Sequence, residues 1–338
     1  MSGWTNERLG MTNKERYIEW SAAQEYMPVF MQPWWMDAVC AGKEWDVLLV
    51  ESQKSKVESQ DGEGEIIGAM PYLLRKRAWF KYIIMPQQTQ IGGIWVREDV
   101  TGDKWKTAEV CRALKEQLDG LGLAYYYQQY MPGSLCVDAM RGLGFKTRER
   151  VTYRVDDLSD LDALIASFSK NKRRQLQKAL SLHAERGMEV EDFYRFHVRC
   201  MAARKRKIRY SREFLLVLER KARRNQQCEI LKVCNADGQV YAAAFLVWDK
   251  SLMYYLIPAY DPAFGDSGAG ALLVLEAMKL AREKQVRFDF EGSMERGTAK
   301  HYKQFGSTPY TYFSVEKYYT PLFRLAIWFQ KLRELKFR

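Results

Sequence analysis

The residues of this 338-residue chain that could do chemistry gather late in the sequence, where Phe288-Asp-Phe-Glu-Gly292 is followed by Lys300-His-Tyr-Lys-Gln-Phe-Gly306. A strand alternates its side chains, so Asp289 and Glu291 share one face and Phe288 and Phe290 the other. Two acids near the end of a central strand are costly unless they meet solvent, a cation or a substrate. Either carboxylate could take the proton of an attacking amine, directly or through water. Tyr302 and Lys303 follow in a short helix, where a lysine could neutralise charge developing on a carbonyl oxygen during acyl transfer. The competing reading is structural: acids at an exposed strand end, or paired with Arg287 or Lys303.

A second constellation is the loop Phe264-Gly-Asp-Ser-Gly-Ala-Gly270 ahead of a long helical stretch. Glycines let a backbone approach a ligand closely. The first N–H groups of a helix are unpaired and favour an anion such as pyrophosphate. Ser267, Gly268, Ala269 and Gly270 are therefore candidates for holding a phosphorylated co-substrate, although glycines also make ordinary strand–helix turns.

The elements that must position these residues read as one order used twice. In the first half, 17–21 reads as an edge strand and 33–41 as a helix opened by Pro33. Strands follow at 45–51 and 66–74 around a polar loop, 52–65. A helix at 104–118 has Ala108, Cys111, Leu114 and Leu118 near one face. A strand at 124–130, a short helix at 134–141 and a strand at 145–155 close the half. In the second half, 229–234 and 240–248 form a hairpin around Asp237-Gly238. A strand at 252–260, the glycine loop, a helix at 271–284, a strand at 286–291, a short helix at 298–304 and a strand at 308–319 follow. The expected organisation is residues 1–150, then 151–320 including a basic helical block at 159–224, then an amphipathic helix at 321–338. In that last helix Leu322, Leu325, Phe329, Leu332 and Leu335 lie near one stripe, and Leu325, Phe329 and Leu332 are expected to dock on the protein body.

Composition sets the outer limits. Hydrophobic residues make up 47% and charged residues 28%, enough for packed cores. No apolar run reaches the roughly 18 residues a membrane span needs, and the polar start does not read as a secretory signal. The expectation is a cytoplasmic protein, touching a membrane at most peripherally through the C-terminal helix. The net charge of +11 favours anionic partners: phosphates, nucleotides, RNA or an anionic lipid surface. No DNA-binding module is legible. Six cysteines without a CxxC pair read as reduced, buried thiols, and His183, His197 and His301 are too scattered to form a metal cluster with one another, so no metal is expected.

The segment FDFEGSM, then HYKQFGS and a strand, resembles the closing region of the Fem-type peptidyltransferases of the GNAT superfamily and their bacterial acetyltransferase-like relatives. Ser167-Phe-Ser-Lys-Asn-Lys-Arg-Arg-Gln-Leu-Gln-Lys-Ala179 resembles their basic helix, and Met31-Gln-Pro-Trp-Trp-Met-Asp-Ala38 their early tryptophan-bearing helix. The resemblance implies an α/β fold with mixed sheets: tandem GNAT-like modules packed around a shared cleft. It implies acyl or aminoacyl transfer to an amine in cell-envelope or peptidoglycan-bridge synthesis. The co-substrate would be aminoacyl-tRNA or acyl-coenzyme A, with nothing bound permanently, and the acceptor an envelope precursor. Lys303 becomes the oxyanion stabiliser. Lys172, Arg173, Arg174 and Arg204 become phosphate or tRNA contacts, and Trp34 and Trp35 substrate contacts. The family's nucleotide-holding lysine after the early tryptophan is replaced by Val39 or Cys40. The alternatives are a coenzyme-A-dependent N-acyltransferase acting on an amino sugar, lipid or polysaccharide precursor, and a non-enzymatic RNA- or membrane-binding protein.

Overall fold

The computed structural model describes residues 10–40, 43–52, 65–292, 294–325 and 327. In chain order the elements are α1 (Asn13–Ala22), α2 (Pro33–Cys40), β1 (Trp45–Glu51), β2 (Ile66–Arg77), β3 (Phe80–Ile84), β4 (Trp95–Val96), α3 (Glu98–Thr101), α4 (Lys104–Gly120), β5 (Tyr125–Tyr130) and α5 (Cys136–Gly142). They continue through β6 (Lys146–Val155), α6 (Leu161–Ser167), α7 (Lys170–Lys178), β7 (His183–Glu185), α8 (Val190–Ala203), α9 (Arg212–Arg224), β8 (Cys228–Cys234), β9 (Val240–Trp248) and β10 (Leu252–Tyr260). The last are α10 (Ala269–Glu283), β11 (Arg287–Asp289), α11 (Arg296–Lys303) and β12 (Thr308–Tyr318).

The chain forms two compact units, each interrupted in sequence. In the first, β1, β2 and β3 pair antiparallel, β3 pairs parallel with β5, and β5 pairs antiparallel with residues 313–318 of β12. Helix α4 is the crossover between the parallel strands and buries Val110, Cys111, Leu114 and Leu118. In the second unit β7, β8, β9 and β10 pair antiparallel, β10 pairs parallel with β11, and β11 pairs antiparallel with β6. Here α10 is the crossover, with Leu273, Val274, Ala277, Met278 and Ala281 buried. The order β–long helix–parallel β recurs as the sequence suggests.

In each unit the strand that completes its part of the sheet comes from the opposite half of the sequence. By order alone β6 would follow β5 and α5 into the first sheet, and β12 would follow β11 and α11 into the second. Residues 312–338 instead belong to the first unit, and 150–311 to the second. Residues 26–41 also belong to the second unit, which departs from a contiguous boundary near 150. The cause is local chemistry. The buried Asp249 carboxylate accepts the amides of Val29 (3.1 Å), Ser251 (2.8 Å) and Leu252 (3.0 Å). Phe30 packs on Tyr254 and Trp35, and Lys221 on α9 pairs with Asp37 on α2 at 3.2 Å.

Two expectations are corrected. Residues 17–21 are helical, not an edge strand, because Thr12 and Glu15 form a capping box that starts α1. At the C-terminal end Leu325 does not dock: it is 51% exposed and Leu322 64%, while Phe323 is 3% exposed against Phe80, Tyr82 and Tyr125. Phe329, Leu332 and Leu335 lie outside the described residues, as does most of the polar loop at 52–65.

Asp249→Ala strands three amides at once, two of them buried. It is expected to cost roughly 3 kcal/mol or more of stability, measured by urea unfolding. A loss under about 1 kcal/mol would mean that water or a shifted backbone replaces the carboxylate.

Candidate active site

The two acids of the FDFEG run have different surroundings. Asp289 is completely buried at the end of β11. Its carboxylate accepts from the Thr152 hydroxyl, from Arg154 Nε at 2.7 Å and from the Glu291 amide at 2.7 Å. Burial lifts its pKa above the ordinary value, and Arg154, Thr152 and the Glu291 amide work against that shift. With its lone pairs engaged, Asp289 is a tie between β6 and β11 and not a free base.

Glu291 lies two residues on, with φ +64°, followed by Gly292 at φ +69°. A left-handed glutamate costs on the order of 1 kcal/mol or more, and the Glu291–Asp289 hydrogen bond holds it there. Its half-buried carboxylate has no hydrogen-bond or ion-pair partner among the described residues. Burial first, then the charge of Asp289, push its pKa well above the ordinary value.

The strands around Glu291 separate. Strands β10 and β11 pair only through Leu252–Arg287, Met253–Phe288 and Tyr254–Asp289. Beyond that triplet β10 runs on to Tyr260, and its pairing with β9 shifts register between Tyr254 and Ile257. A shift of this kind leaves backbone groups without ladder partners. Next to Asp289, buried Phe290 stacks on Tyr302 at 4.4 Å. Tyr302 is buried, so its hydroxyl stays protonated well above the ordinary range.

At its far end β10 leads into the glycine loop. Gly268 caps α10 at φ +82° without a side chain, and Ser267 accepts from the Ala269 amide at 3.3 Å. A Cβ on Gly268 would lie 2.0 Å from the Gln175 carbonyl oxygen, and one on Gly270 would lie 3.1 Å from the Tyr260 ring. Tight packing against α7 thus requires the first glycine whether or not a ligand binds. That packing brings the basic helix to the loop: Lys178 pairs with Asp266 at 2.9 Å, and Arg174 also acts on Asp266. Arg204 joins the same neighbourhood, donating to the Tyr260 carbonyl at 3.1 Å.

Other expected residues stand elsewhere. Lys303 is exposed, with its ammonium 5.9 Å from the centre of the Tyr153 ring and no ion pair to Glu291. Arg173 turns to the Ala166 carbonyl at 3.0 Å. Lys172 is 3% exposed, so it is no phosphate clamp. Its ammonium donates to Gln175 at 2.9 Å and to His301 Nδ1 at 3.2 Å, above the Phe305 ring. Burial lowers Lys172 to about 8; burial, then the lysine charge, lower His301 to about 4. Trp35 is fully buried against Phe30 and cannot touch a substrate, while the half-buried Trp34 bonds to Gln32. Sequence reasoning missed Thr152, Arg154 and His301. The polar alternation Thr152-x-Arg154 in an otherwise apolar strand end was the legible signal for the first two.

This arrangement has known counterparts. Residues 166–304 match the family model described as an acetyltransferase (GNAT) domain. The fold resembles the crystal structure of FemX, at 14% identity and TM-score 0.68, over 90% of this chain and 96% of that one. It also resembles a tandem GNAT protein from the clavulanic acid biosynthesis pathway, at 11% identity and TM-score 0.53, over 91% and 95%. A third likeness is to the C-terminal domain of a putative lysylphosphatidylglycerol synthetase from Agrobacterium fabrum, at 12% identity and TM-score 0.52, over 90% and 91%. No curated protein matches the sequence. Residues 166–304 thus form a GNAT acetyltransferase domain, and the chain is an acyltransferase. Its fold is the tandem arrangement that FemX and the tandem GNAT protein also show.

The two acids should respond oppositely to neutralisation. An acid whose folded pKa is raised contributes its stability below the unfolded pKa and loses it as pH rises through the folded one. Glu291→Gln should therefore match the parent near pH 4 and melt higher at pH 8, while turnover falls about 10²–10⁴-fold. Asp289→Ala, which removes the acceptor of Arg154, Thr152 and the Glu291 amide together, should instead lose roughly 3–5 kcal/mol by unpairing Arg154. Melting temperature and turnover on the same preparations check both; a fully active Glu291→Gln enzyme would remove that residue from the chemistry.

Proposed function

We propose that the second unit transfers an acyl group from a coenzyme A thioester to a primary amine, with Glu291 as the base. The observation that carries this reading is the partner-free, strained Glu291 carboxylate beside the opening between β10 and β11. Pyrophosphate would sit at the amino end of α10, on the side of Ser267 and Gly270 left uncovered beyond buried Gly268 and Ala269, with Arg174, Lys178 and Arg204 supplying positive charge. The thioester arm would run along the unpaired edge of β10 as an added strand. Backbone amides near the register shift would polarise the thioester carbonyl, a role that then does not require Lys303. The amine nitrogen attacks the carbonyl carbon and passes its proton to Glu291. The C–N bond forms, the C–S bond breaks, and the leaving thiolate is protonated by the Tyr302 hydroxyl or by water.

A second reading keeps the fold and changes the donor to aminoacyl-tRNA, with a cell-envelope precursor as acceptor. Likeness to FemX and to the synthetase domain over 90% of the chain favours it. So do the exposed cations Lys170, Arg173 and Arg174 on α7.

Isothermal titration with acetyl-coenzyme A and with aminoacyl-tRNA separates the two. Micromolar binding of acetyl-coenzyme A, weakened roughly tenfold and made less salt-sensitive by the double change Arg174→Ala, Lys178→Ala, is the expected result. Binding of tRNA alone transfers the role of donor to the second reading.

A further inference from the structure

The edge pair β7–β8 carries a cluster unrelated to the acyl-transfer site. His183 lies directly opposite Cys234 in the antiparallel register, and Glu185 follows on the same face of β7. His183 Nε2 is 2.9 Å from Glu185 Oε1 and 3.4 Å from Cys234 Sγ, and the sulfur is 3.3 Å from the same carboxylate oxygen. A nitrogen, an oxygen and a sulfur thus converge on one point. From the geometry we infer that His183, Glu185 and Cys234 form a site for a zinc-like divalent transition metal.

Tetrahedral zinc holds nitrogen and oxygen at about 2.0–2.1 Å and sulfur at about 2.3 Å, which sets the ligand atoms roughly 3.3–3.6 Å apart. The triad needs shifts of only a few tenths of an ångström to meet those spacings. Thiolate with imidazole selects zinc or its late-transition neighbours over magnesium and calcium. The other carboxylate oxygen of Glu185 is held by Lys232 at 2.8 Å, which fixes the ligand's orientation from outside the site. His183 and Glu185 are 51% and 43% exposed, whereas Cys234 is buried, so a metal ion has a path from solvent to the thiol. Three protein ligands leave the fourth position to water. Binding exchanges the thiol proton for the metal, so affinity rises with pH. The metal would fasten the short edge strand β7 to β8.

The test is a cobalt(II) titration of the full chain after chelator treatment. One equivalent should produce a thiolate-to-cobalt charge-transfer band and the intense visible bands of a tetrahedral ion, both erased by zinc. Cys234→Ser should abolish the charge-transfer band, and His183→Ala, an exposed change that leaves the core intact, should weaken binding at least tenfold. Absence of the band in the parent chain, or its survival in a folded Cys234→Ser protein, overturns the assignment.

A separate observation concerns the first unit. The β2–β3 hairpin turns through Ala78, at φ +50°, and Trp79, which is 82% exposed. Lys76 and Lys81 face each other across the ladder, a like-charge pairing that costs stability unless an anion relieves it. The chain has no acid from 66 to 97. Phe323 packs on Phe80 beside this tip, and exposed Leu322, Arg324 and Leu325 flank it. We propose that this surface docks on an anionic lipid bilayer, with Trp79 and the two leucines entering the interface and the cations meeting headgroups. Flotation should show binding to phosphatidylcholine vesicles containing phosphatidylglycerol, little binding to phosphatidylcholine alone, and at least tenfold weakening by Trp79→Ser or by Lys76→Glu. Failure to float with anionic vesicles, or unchanged binding in both variants, overturns it. So does concentration-dependent dimerisation abolished by Trp79→Ser, which would make a second copy the occupant.

Discussion

The second unit depends on one buried ion pair. Removing Asp289 and Arg154 from water is costly, and their attraction offsets that cost only because Thr152 and the Glu291 amide complete the carboxylate's shell. Such a pair is a poor source of net stability and a good source of position. It fixes where β6 lies on β11, and its last hydrogen bond turns the chain out of the sheet one residue after Phe290. Glu291 inherits a conformation it would not choose. Its carboxylate is left without a partner among the described residues, and the charge of Asp289 adds to the cost of ionising it.

The separation of β10 from β11 follows from the same turn. A parallel pair that ends after three residues leaves one strand with unused edge groups, which is tolerable only where a ligand or solvent can meet them. The helix crossover that joins these strands delivers its positive end to the same side. The protein thereby collects, within one supersecondary unit, an anion-attracting end, an unpaired strand edge and a carboxylate of raised pKa. The basic helix α7 joins through backbone contact at Gly268, so its role at the loop begins with packing and only then becomes electrostatic.

Much of this was legible in the residues. The hairpin at Asp237-Gly238 and its strands were marked by turn chemistry and apolar alternation, and β9 and β10 begin and end where that pattern does. The acid-bearing strand and the glycine loop were found from spacing alone. What spacing could not do was assign environments. Alternation places Asp289 and Glu291 on one face, yet a left-handed backbone at Glu291 ends the alternation and separates their roles. Lys172 sits among exposed basic neighbours in sequence, but helical periodicity turns it inward toward Phe305 and His301. Residues 17–21 read as an edge strand, and the Thr12–Glu15 capping box is the signal for a helix. The exchange of β6 and β12 between sheets left no local trace, because a strand's sequence records that it pairs and not with whom.

That exchange has a consequence in time. The pairing partner of β5 is residues 313–318, which leave the ribosome roughly 180 residues after it. At about 5–20 residues per second, β5 waits on the order of 10–40 s with an open edge. A newly made first unit is therefore a sheet with a vacant place, exposed to any passing strand, until residues 313–318 arrive to fill it. Termination of synthesis ahead of residues 313–318 would release the first unit without its last strand, even with every residue of the second unit already made.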